Sequence, residues 1–375
     1  MRVLICGGGT GGHINPALAI ADKIKSENKD AVIEYVGTKK GLEATLVPKA
    51  GLKIHFVEVR GFKRKLTLQN VDAAIKAVTS VVAAKKIIKE FRPDVAIGTG
   101  GYVCWPVLKA ASKMGIPTLV HESNAYPGVT TRMLAPFVDK VVVGFEESKK
   151  YLNCDKEKIV VAGSPVSEKM LNANRETSRK QLGYDNDEIV VLSAGGSQGA
   201  RPLNENVYEL IKNYTLPKGI RHIHATGNAG WETQKQLYLD LGFAQIDNDT
   251  LTKGKVVVKR YIYNMHELLS ACDIEICRAG AMTLSELAVL GKAAVIIPSP
   301  YVPNNHQFKN AKVLSDKDAA ILIEEKDLTG EVLTRQIKEL VENDEKRKNM
   351  QNNVKQFAVT DSLERIYNEI LKILK

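Results

Sequence analysis

Apolar residues along the 375-residue chain fall into short unbroken runs, and between the runs lie longer stretches with an apolar residue at every third or fourth position. The runs RVLICG (2–7), AVIEYVG (31–37), KIHFVEV (53–59), DVAIGTG (94–100), PTLVHE (117–122) and KVVVG (140–144) predict β-strands in the first half. EIVVLSAGG (188–196), IRHIHATG (220–227), KVVVKRYI (255–262), IEICRAG (274–280) and AAVIIPS (293–299) predict strands in the second. ALAIADKIKSE (17–27), AAIKAVTSVVAAKKIIKEF (73–91) and MTLSELAVLG (282–291) follow the helical period. Val/Ile/Leu runs closed by Gly and spaced by helices belong to parallel strands covered on both faces. The alternation runs through twice, which predicts an α/β fold of two doubly wound parallel-sheet domains. The break falls near Gly163-Ser164-Pro165, so the domains are expected at 1–163 and 164–353, and 354–375 reads as one or two amphipathic helices. Ligands of such sheets bind at the carboxyl ends of the strands, so the strand-to-helix turns are where chemistry is expected.

Composition adds exclusions. With 44% hydrophobic and 26% charged residues the chain buries real cores. An aromatic content of 6% speaks against a single-strand binder built on stacking. Five cysteines without a C-x-x-C exclude a disulfide scaffold and a paired-Cys zinc site, and suit a reducing compartment. The opening MRVLICGGGTGG lacks the shape of a signal peptide, and no apolar stretch approaches the roughly 18 residues of a spanning helix.

Charge changes the picture more. The net charge is +10, and residues 1–163 hold 25 Lys and Arg against 15 Asp and Glu, while 164–375 hold 28 of each. The first half is therefore expected to meet something anionic. Arg60, Lys63, Arg64 and Lys65 surround Phe62 and Leu66, and the next helix, about 71–91, sets Ile75, Val78, Val82, Ile87 and Phe91 beside Lys76, Lys85, Lys86 and Lys89. Such a face suits an anionic membrane surface. The plainer alternative is an amphipathic core helix and a charge that only aids solubility.

Three glycine turns follow strands. Gly7–Gly12 with His13 precedes a helix that has Pro16 near its start; a helix N-terminus favours negative charge, and a neutral imidazole there can act as a general base. The run formally matches G-x-G-x-x-G, but Glu34 lies inside its strand and not at the strand's end, so a dinucleotide reading fits poorly. Gly98-Thr99-Gly100-Gly101-Tyr102 is the second turn. Gly195-Gly196-Ser197-Gln198-Gly199-Ala200 is the third and the better phosphate cradle, with N–H groups, a hydroxyl and a helix start but no Walker lysine. A diphosphate bound without that lysine points to a nucleotide sugar and away from ATP hydrolysis. His121-Glu122-Ser123-Asn124 ends a strand and reads as site more than core. Arg278–Glu286 ends another and opens a helix, where Glu286 either completes a capping box with Thr283 or accepts both hydroxyls of a ribose. Asn304-Asn305-His306-Gln307 offers side chains for sugar hydroxyls.

Taken together, GGGTGGHINPALAIA (7–21), GTGGYVCWP (98–106), HESNAYPG (121–128), GGSQGARPLN (195–204), RYIYNM (260–265), RAGAMTLSELAVLGKAAVIIP (278–298) and NNHQFKNA (304–311) resemble the MurG-type glycosyltransferases, which make lipid II from lipid I in peptidoglycan synthesis. The resemblance implies a GT-B architecture: two Rossmann-like domains with an interdomain cleft, the second binding UDP-N-acetylglucosamine. The first would take the undecaprenyl-linked acceptor at the cytoplasmic face of the membrane, as a peripheral protein, and would receive the helix at 354–375. Carried over by motif, Thr10, Gly11, Gly12 and Asn124 contact the donor or reacting centre and Ser197 the diphosphate. Ile262 meets uracil through its backbone, Ala281, Met282 and Thr283 line the diphosphate and ribose site, Glu286 takes the ribose hydroxyls and Gln307 those of GlcNAc. Tyr102 and Gln198, in the second and third turns, complete the expected binding set. Two positions depart from the family: Ser167 stands where Arg is usual, with Lys169 nearby, and His306 replaces the first of two glutamines.

The implied reaction is an inverting transfer of GlcNAc to the C4 hydroxyl of the N-acetylmuramoyl group, with His13 as the base. Helix N-termini would stabilise the departing diphosphate, so neither a cofactor nor a metal is expected. The rival readings are a glycosyltransferase for diacylglycerol or sterol, a nucleotide-sugar epimerase and a nucleic-acid binder. The last leaves the glycine turns unexplained, so no nucleic-acid partner is expected.

Overall fold

The computed structural model describes residues 1–59, 68–214 and 219–374, with the backbone alone for 68–78. The chain divides into two compact units, Met1–Val166 with Val359–Lys375, and Ser167–Ala358. These junctions lie a few residues beyond the expected ones.

In the first unit the elements run β1 (Arg2–Cys6), α1 (Gly11–Glu27), β2 (Val32–Gly37), α2 (Glu43–Lys49), β3 (Lys53–Phe56), α3 (Leu68–Phe91), β4 (Val95–Gly98), α4 (Cys104–Lys113), β5 (Thr118–Glu122), α5 (Val129–Leu134), β6 (Lys140–Val143) and β7 (Ile159–Val161). The strands form one parallel sheet in the order β3-β2-β1-β4-β5-β6-β7. The uninterrupted apolar runs follow from this: both faces are covered. Val3, Ile5 and Ile97 pack with Ile14, Ile20 and Ile24 of α1 on one face. Leu4, Ala96 and Val120 pack with Val107 and Leu108 of α4 and Ile88 of α3 on the other.

The second unit contains α6 (Glu168–Leu171), α7 (Arg175–Leu182), β8 (Ile189–Ala194), α8 (Arg201–Asn213), β9 (Ile220–Ala225), α9 (Trp231–Asp240), β10 (Ala244–Asp247), β11 (Thr250–Lys253), β12 (Val256–Lys259), α10 (Met265–Ala271), β13 (Ile274–Cys277), α11 (Ala281–Leu290), β14 (Ala293–Ile296), α12 (His306–Ser315), β15 (Ile321–Leu322), α13 (Gly330–Glu342) and α14 (Asp344–Lys355). Its sheet runs β10-β11-β12-β9-β8-β13-β14-β15 and is parallel except for the β10–β11–β12 meander at one edge. A buried ion cluster ties α7 to this sheet: Asp273 accepts Arg179 Nη2 at 2.6 Å and the N–H of Val190 at 2.8 Å.

The last helix, α15 (Ser362–Ile373), belongs to the first unit. Its Leu363, Ile366 and Ile370 are buried in the same core as Ile20 and Ile24. The Ser362 hydroxyl donates to Ser164 O at 2.9 Å, and Lys23 pairs with Glu364 at 2.7 Å.

Three sequence expectations change. First, α1 begins at Gly11, because Thr10 is extended and its carbonyl accepts the N–H groups of His13 and Ile14; Pro16 is therefore inside the helix and His13 in its first turn. Second, β10 and β11 carry no apolar run, since every residue of β10 is exposed, and they form a hairpin on the sheet edge. Third, Ile87 and Phe91 of α3 are core residues, whereas Val82 is 64% exposed beside exposed Lys85, Lys86 and Lys89. Residues 60–67 and the side chains of Ile75, Lys76 and Val78 lie outside the described residues. No helix among the described residues is long and apolar enough to cross a membrane.

Ile366→Ala should lower the unfolding free energy by about 2–5 kcal/mol, the range for truncating a fully buried isoleucine. Urea denaturation followed by tryptophan-independent far-UV dichroism checks it; a loss below 1 kcal/mol would mean that α15 is not part of the core.

Candidate active site

In both sheets the strand order reverses beside the first strand of the doubly wound core, and the glycine turns lie at those reversals. Cys6 pairs with Gly98 on the last rung between β1 and β4, so the first and second turns leave the sheet side by side. Ala194 pairs with Cys277 between β8 and β13, so the third turn and the start of α11 do the same.

At the first reversal the structure brings Thr10, Gly11, Gly12, His13 and the second turn together. His13 Nδ1 lies 3.1 Å from Thr99 O, and the Thr99 hydroxyl donates to His13 O at 2.7 Å. A carbonyl can only accept, so Nδ1 carries the proton and Nε2 is the acceptor nitrogen of the neutral ring. Gly100 is required here: its φ is +109°, and a Cβ would stand 2.4 Å from His13 Nδ1. Thr10, the residue before α1, makes no side-chain cap, and Thr10 and Gly12 are exposed. Tyr102 is exposed just past Gly101.

The HESN segment divides. His121, Glu122 and Ser123 are buried, which corrects the expectation that they are site more than core. His121 Nε2 donates to Gly163 O at 3.0 Å, and burial holds its pKa below the ordinary histidine value. Glu122 Oε1 accepts the N–H and the side-chain amide of Asn124 at 3.0 and 2.9 Å, and Oε2 accepts the N–H of Gly128 at 2.8 Å. The buried part of the motif thus shapes the loop that presents Asn124. Glu34 accepts Lys53 at 3.0 Å and also pairs with His55, both on β3, so it is a cross-strand partner.

At the second reversal the third turn is closed by Gly199 N–H on Gly196 O at 2.9 Å and held by Ala229 N–H on Gln198 O at 3.2 Å. Ser197 and Gln198 are exposed, and their side chains make no hydrogen bond among the described residues. The turn runs straight into α8, so the helix start faces the same crevice. Ala281 and Met282 are buried in the first turn of α11, which leaves their N–H groups as what they can offer a ligand; Thr283 is half-buried. Ile262 is a buried side chain, again leaving its backbone.

Glu286 is not a cap. The residue before α11 is Gly280 and no side chain caps the helix, so Thr283 and Glu286 lie in its interior and the capping-box alternative is overturned. The Glu286 carboxylate has no hydrogen bond or ion pair among the described residues, and burial pushes its pKa up to about 7. Glu275 is pushed up to about 8 by burial and by the charge of Glu286, against the opposing Lys292, and its Oε2 has no partner among the described residues. Gln307 is oriented: its side-chain oxygen accepts the N–H of Ser299 at 2.8 Å, which turns its NH₂ outward as a donor. His306 donates from Nδ1 to Pro303 O at 2.9 Å. Arg278 is committed elsewhere, to Glu325 at 2.5 Å and Ile297 O at 3.1 Å. Ser167 and Lys169 are both exposed. No cluster of three or more His, Cys, Asp or Glu among the described residues is placed to hold a metal ion.

Sequence reasoning missed the role of Thr99, which fixes the histidine ring from a residue between two glycines. The Thr99 hydroxyl between two glycines was the available signal for its tie to His13 O, but the ring is held by the Thr99 carbonyl, which no side chain announces.

Family models of the glycosyltransferase family 28 N-terminal domain and C-terminal domain match residues 3–143 and 190–366. A relative from Acetivibrio thermocellus is 44% identical over all of this chain and 99% of its own; it is named UDP-N-acetylglucosamine–N-acetylmuramyl-(pentapeptide) pyrophosphoryl-undecaprenol N-acetylglucosamine transferase. The crystal structure of Acinetobacter baumannii MurG superposes with a TM-score of 0.75 at 28% identity, covering 99% of each chain. The UDP-GlcNAc 2-epimerase of Neisseria meningitidis, at 15% identity and a TM-score of 0.66 over 99% of this chain and 100% of its own, shares the fold alone.

An acid whose folded pKa lies above its unfolded value binds more protons in the folded state between the two, so stability falls as pH rises through that window. For Glu286 the window runs from the ordinary 4.5 to about 7. Glu286→Gln should therefore match the wild type in melting temperature at pH 4 and exceed it at pH 8, in the absence of ligand. Equal melting temperatures at pH 8 would contradict the unpaired carboxylate.

Proposed function

The chain belongs to glycosyltransferase family 28, and from that premise we infer that it moves N-acetylglucosamine from UDP-N-acetylglucosamine to the C4 hydroxyl of the N-acetylmuramoyl group of lipid I, forming lipid II in peptidoglycan synthesis. The observation that carries this reading is the 44% identity, along the whole of both chains, to a transferase named for that reaction. The enzyme is an N-acetylglucosaminyltransferase.

The chemistry is an in-line displacement with inversion. The acceptor C4 oxygen attacks the anomeric carbon, the bond from that carbon to the diphosphate oxygen breaks, and a β-1,4 link forms. The hydroxyl proton goes to Nε2 of His13. The Nδ1–H bond to Thr99 O supports this: it selects the tautomer with a basic Nε2, and its carbonyl dipole favours the imidazolium that results. UDP departs with its charge on the diphosphate. N–H groups at the starts of α8 and α11 and the Ser197 hydroxyl meet that charge, with Gln198 beside them. Glu286 takes the two ribose hydroxyls, which supply the partners that it lacks in the free protein. The backbone of Ile262 meets uracil, Ala281, Met282 and Thr283 line the diphosphate and ribose, and the outward NH₂ of Gln307 donates to a GlcNAc hydroxyl. Thr10, Gly11, Gly12, Tyr102 and Asn124 surround the reacting centre. These groups supply charge stabilisation without a metal or cofactor.

The acceptor's lipid stays in the bilayer, so the first unit docks on the cytoplasmic face of an anionic membrane. Its charge excess supports this, as do Val82, Val129, Met133 and Phe137, which are exposed on or just after α3 and α5, helices that flank α4 on one face of the sheet. Basic residues near such a surface contribute about 1 kcal/mol each.

Incubation with radiolabelled UDP-GlcNAc and a short-chain lipid I analogue should give a labelled disaccharide lipid, and UDP-GlcNAc alone should give no epimer; the opposite pair of results would favour an epimerase. His13→Ala should lower kcat by about 10²–10⁴-fold with UDP affinity within twofold by calorimetry, and a kcat within threefold would remove His13 from the reaction. Replacing Lys63, Arg64 and Lys65 together by Glu should abolish sedimentation with anionic vesicles at physiological salt while sparing turnover of the soluble acceptor. Sedimentation equal to that of the wild type would put the membrane contact elsewhere.

A further inference from the structure

Beneath the first glycine turn sits a carboxylate with no cation paired to it among the described residues. Glu43 opens α2 and has no exposed surface. Its Oε2 accepts the N–H of Gly9 at 3.0 Å; its Oε1 accepts the N–H and the hydroxyl of Thr38 at 3.0 and 2.7 Å. Burial alone would raise its pKa, but the bonds from Thr38, from Gly9 and from its own N–H hold it below the ordinary carboxylate range, so it is an anion at neutral pH. The turn closes directly on it: a Cβ at Gly8 would stand 2.5 Å from Oε1.

An amide cannot take its place. Each carboxylate oxygen receives a backbone N–H, so either orientation of a glutamine sets an NH₂ against an N–H donor. The contact also reaches the base along the shortest covalent route. Gly9 adjoins Thr10, whose carbonyl accepts the N–H groups of His13 and Ile14 and so starts α1. The other ties on this turn are neutral: the Tyr35 hydroxyl on Gly7 O at 3.0 Å, Gly8 N–H on Gly100 O at 3.3 Å, and the Thr99 hydroxyl on His13 O. Hydrogen bonds to a charged acceptor are roughly twice as strong as neutral ones, so Glu43 is the stiff member of the set.

We propose that Glu43 is a positioning residue for the transfer: its buried carboxylate clamps Gly9 and thereby holds the first turn of α1 with His13 Nδ1 on the Thr99 carbonyl. Glu43 touches no substrate. The proposal rests on the reading of His13 as the base, and it explains why a buried anion is retained under a loop that needs no charge to fold as a turn.

The test compares wild type with Glu43→Gln in the lipid I analogue assay, with UDP titration and melting curves on the same samples and nitrogen NMR of the His13 ring in the ligand-free protein. The expected result is a kcat lowered about 10–100-fold, the scale of a misplaced catalytic group, with KM for UDP-GlcNAc and the Kd of UDP within twofold. The ring should be the Nδ1-protonated tautomer in wild type and a mixture in the variant. A kcat within threefold, an unchanged tautomer, or a loss of activity matched by an equal loss of UDP-binding capacity would overturn the proposal. If Glu43→Gln does not fold, Thr38→Val removes one donor from the same carboxylate; a kcat about three- to tenfold lower is expected for the loss of one hydrogen bond, and an unchanged kcat overturns the idea. If wild type itself transfers nothing, the functional reading fails, and the tautomer comparison still decides the role of Glu43.

Discussion

The reversal of strand order is the constraint from which the rest of each unit follows. Parallel strands need right-handed crossovers, and where neighbouring strands send their crossovers to opposite faces, a crevice opens at their carboxyl ends. In the first unit β1 feeds α1 on one face and β4 feeds α4 on the other. The two turns between them must therefore pass each other closely. His13 and Thr99 meet at that crossing, and so the group that can take a proton is oriented by the backbone of a neighbouring strand's exit.

The buried and half-buried carboxylates separate into two kinds. Glu43 is satisfied by Thr38 of its own loop and Gly9 of the first glycine turn, Glu122 by N–H groups of its own loop, and Asp273 by two arginines and an N–H, so these charges are closed within the fold. Among the described residues the buried Glu275 Oε2 has no partner, and the half-buried Glu286 makes no hydrogen bond or ion pair. A polar group left without a partner away from water costs free energy, and natural folds retain few of them. Glu275 lies on β13 and Glu286 inside α11, beside the reversal of the second sheet. On the proposed reading, ribose hydroxyls would give Glu286 the partners that it does not find among the described residues, instead of competing with existing protein bonds.

Much of the fold was legible in the chain because burial on both faces leaves a largely apolar run at the central strands, although β9 and β13 bury His222, His224 and Glu275 within theirs. Where burial fails, the signal fails with it: β10 is exposed throughout and β15 is two residues long, and neither was read. The turns announced themselves by glycine, and the residues expected to line them lie at the reversals. What could not be read was polar burial. Nothing in HESN marks His121, Glu122 and Ser123 as supports and Asn124 as the presented residue, because the difference is made by Gly163 and Gly128, distant in sequence or around a loop. The Thr283–Glu286 spacing satisfied a capping box, yet the helix starts at Ala281, and that start is set by where β13 ends and not by the local motif.

The return of α15 to the first unit bears on how the protein is made. Ile14, Ile20 and Ile24 leave the ribosome early, but Leu363, Ile366 and Ile370, which cover them, emerge only after Ser167–Ala358 has been synthesised. At about 5–20 residues per second that interval is on the order of 10–40 s. Throughout it the face of α1 and β6 that awaits α15 is apolar and open, while the second unit, continuous in sequence, is free to fold as its synthesis ends. Vectorial synthesis thus finishes the two halves in the reverse of their chain order.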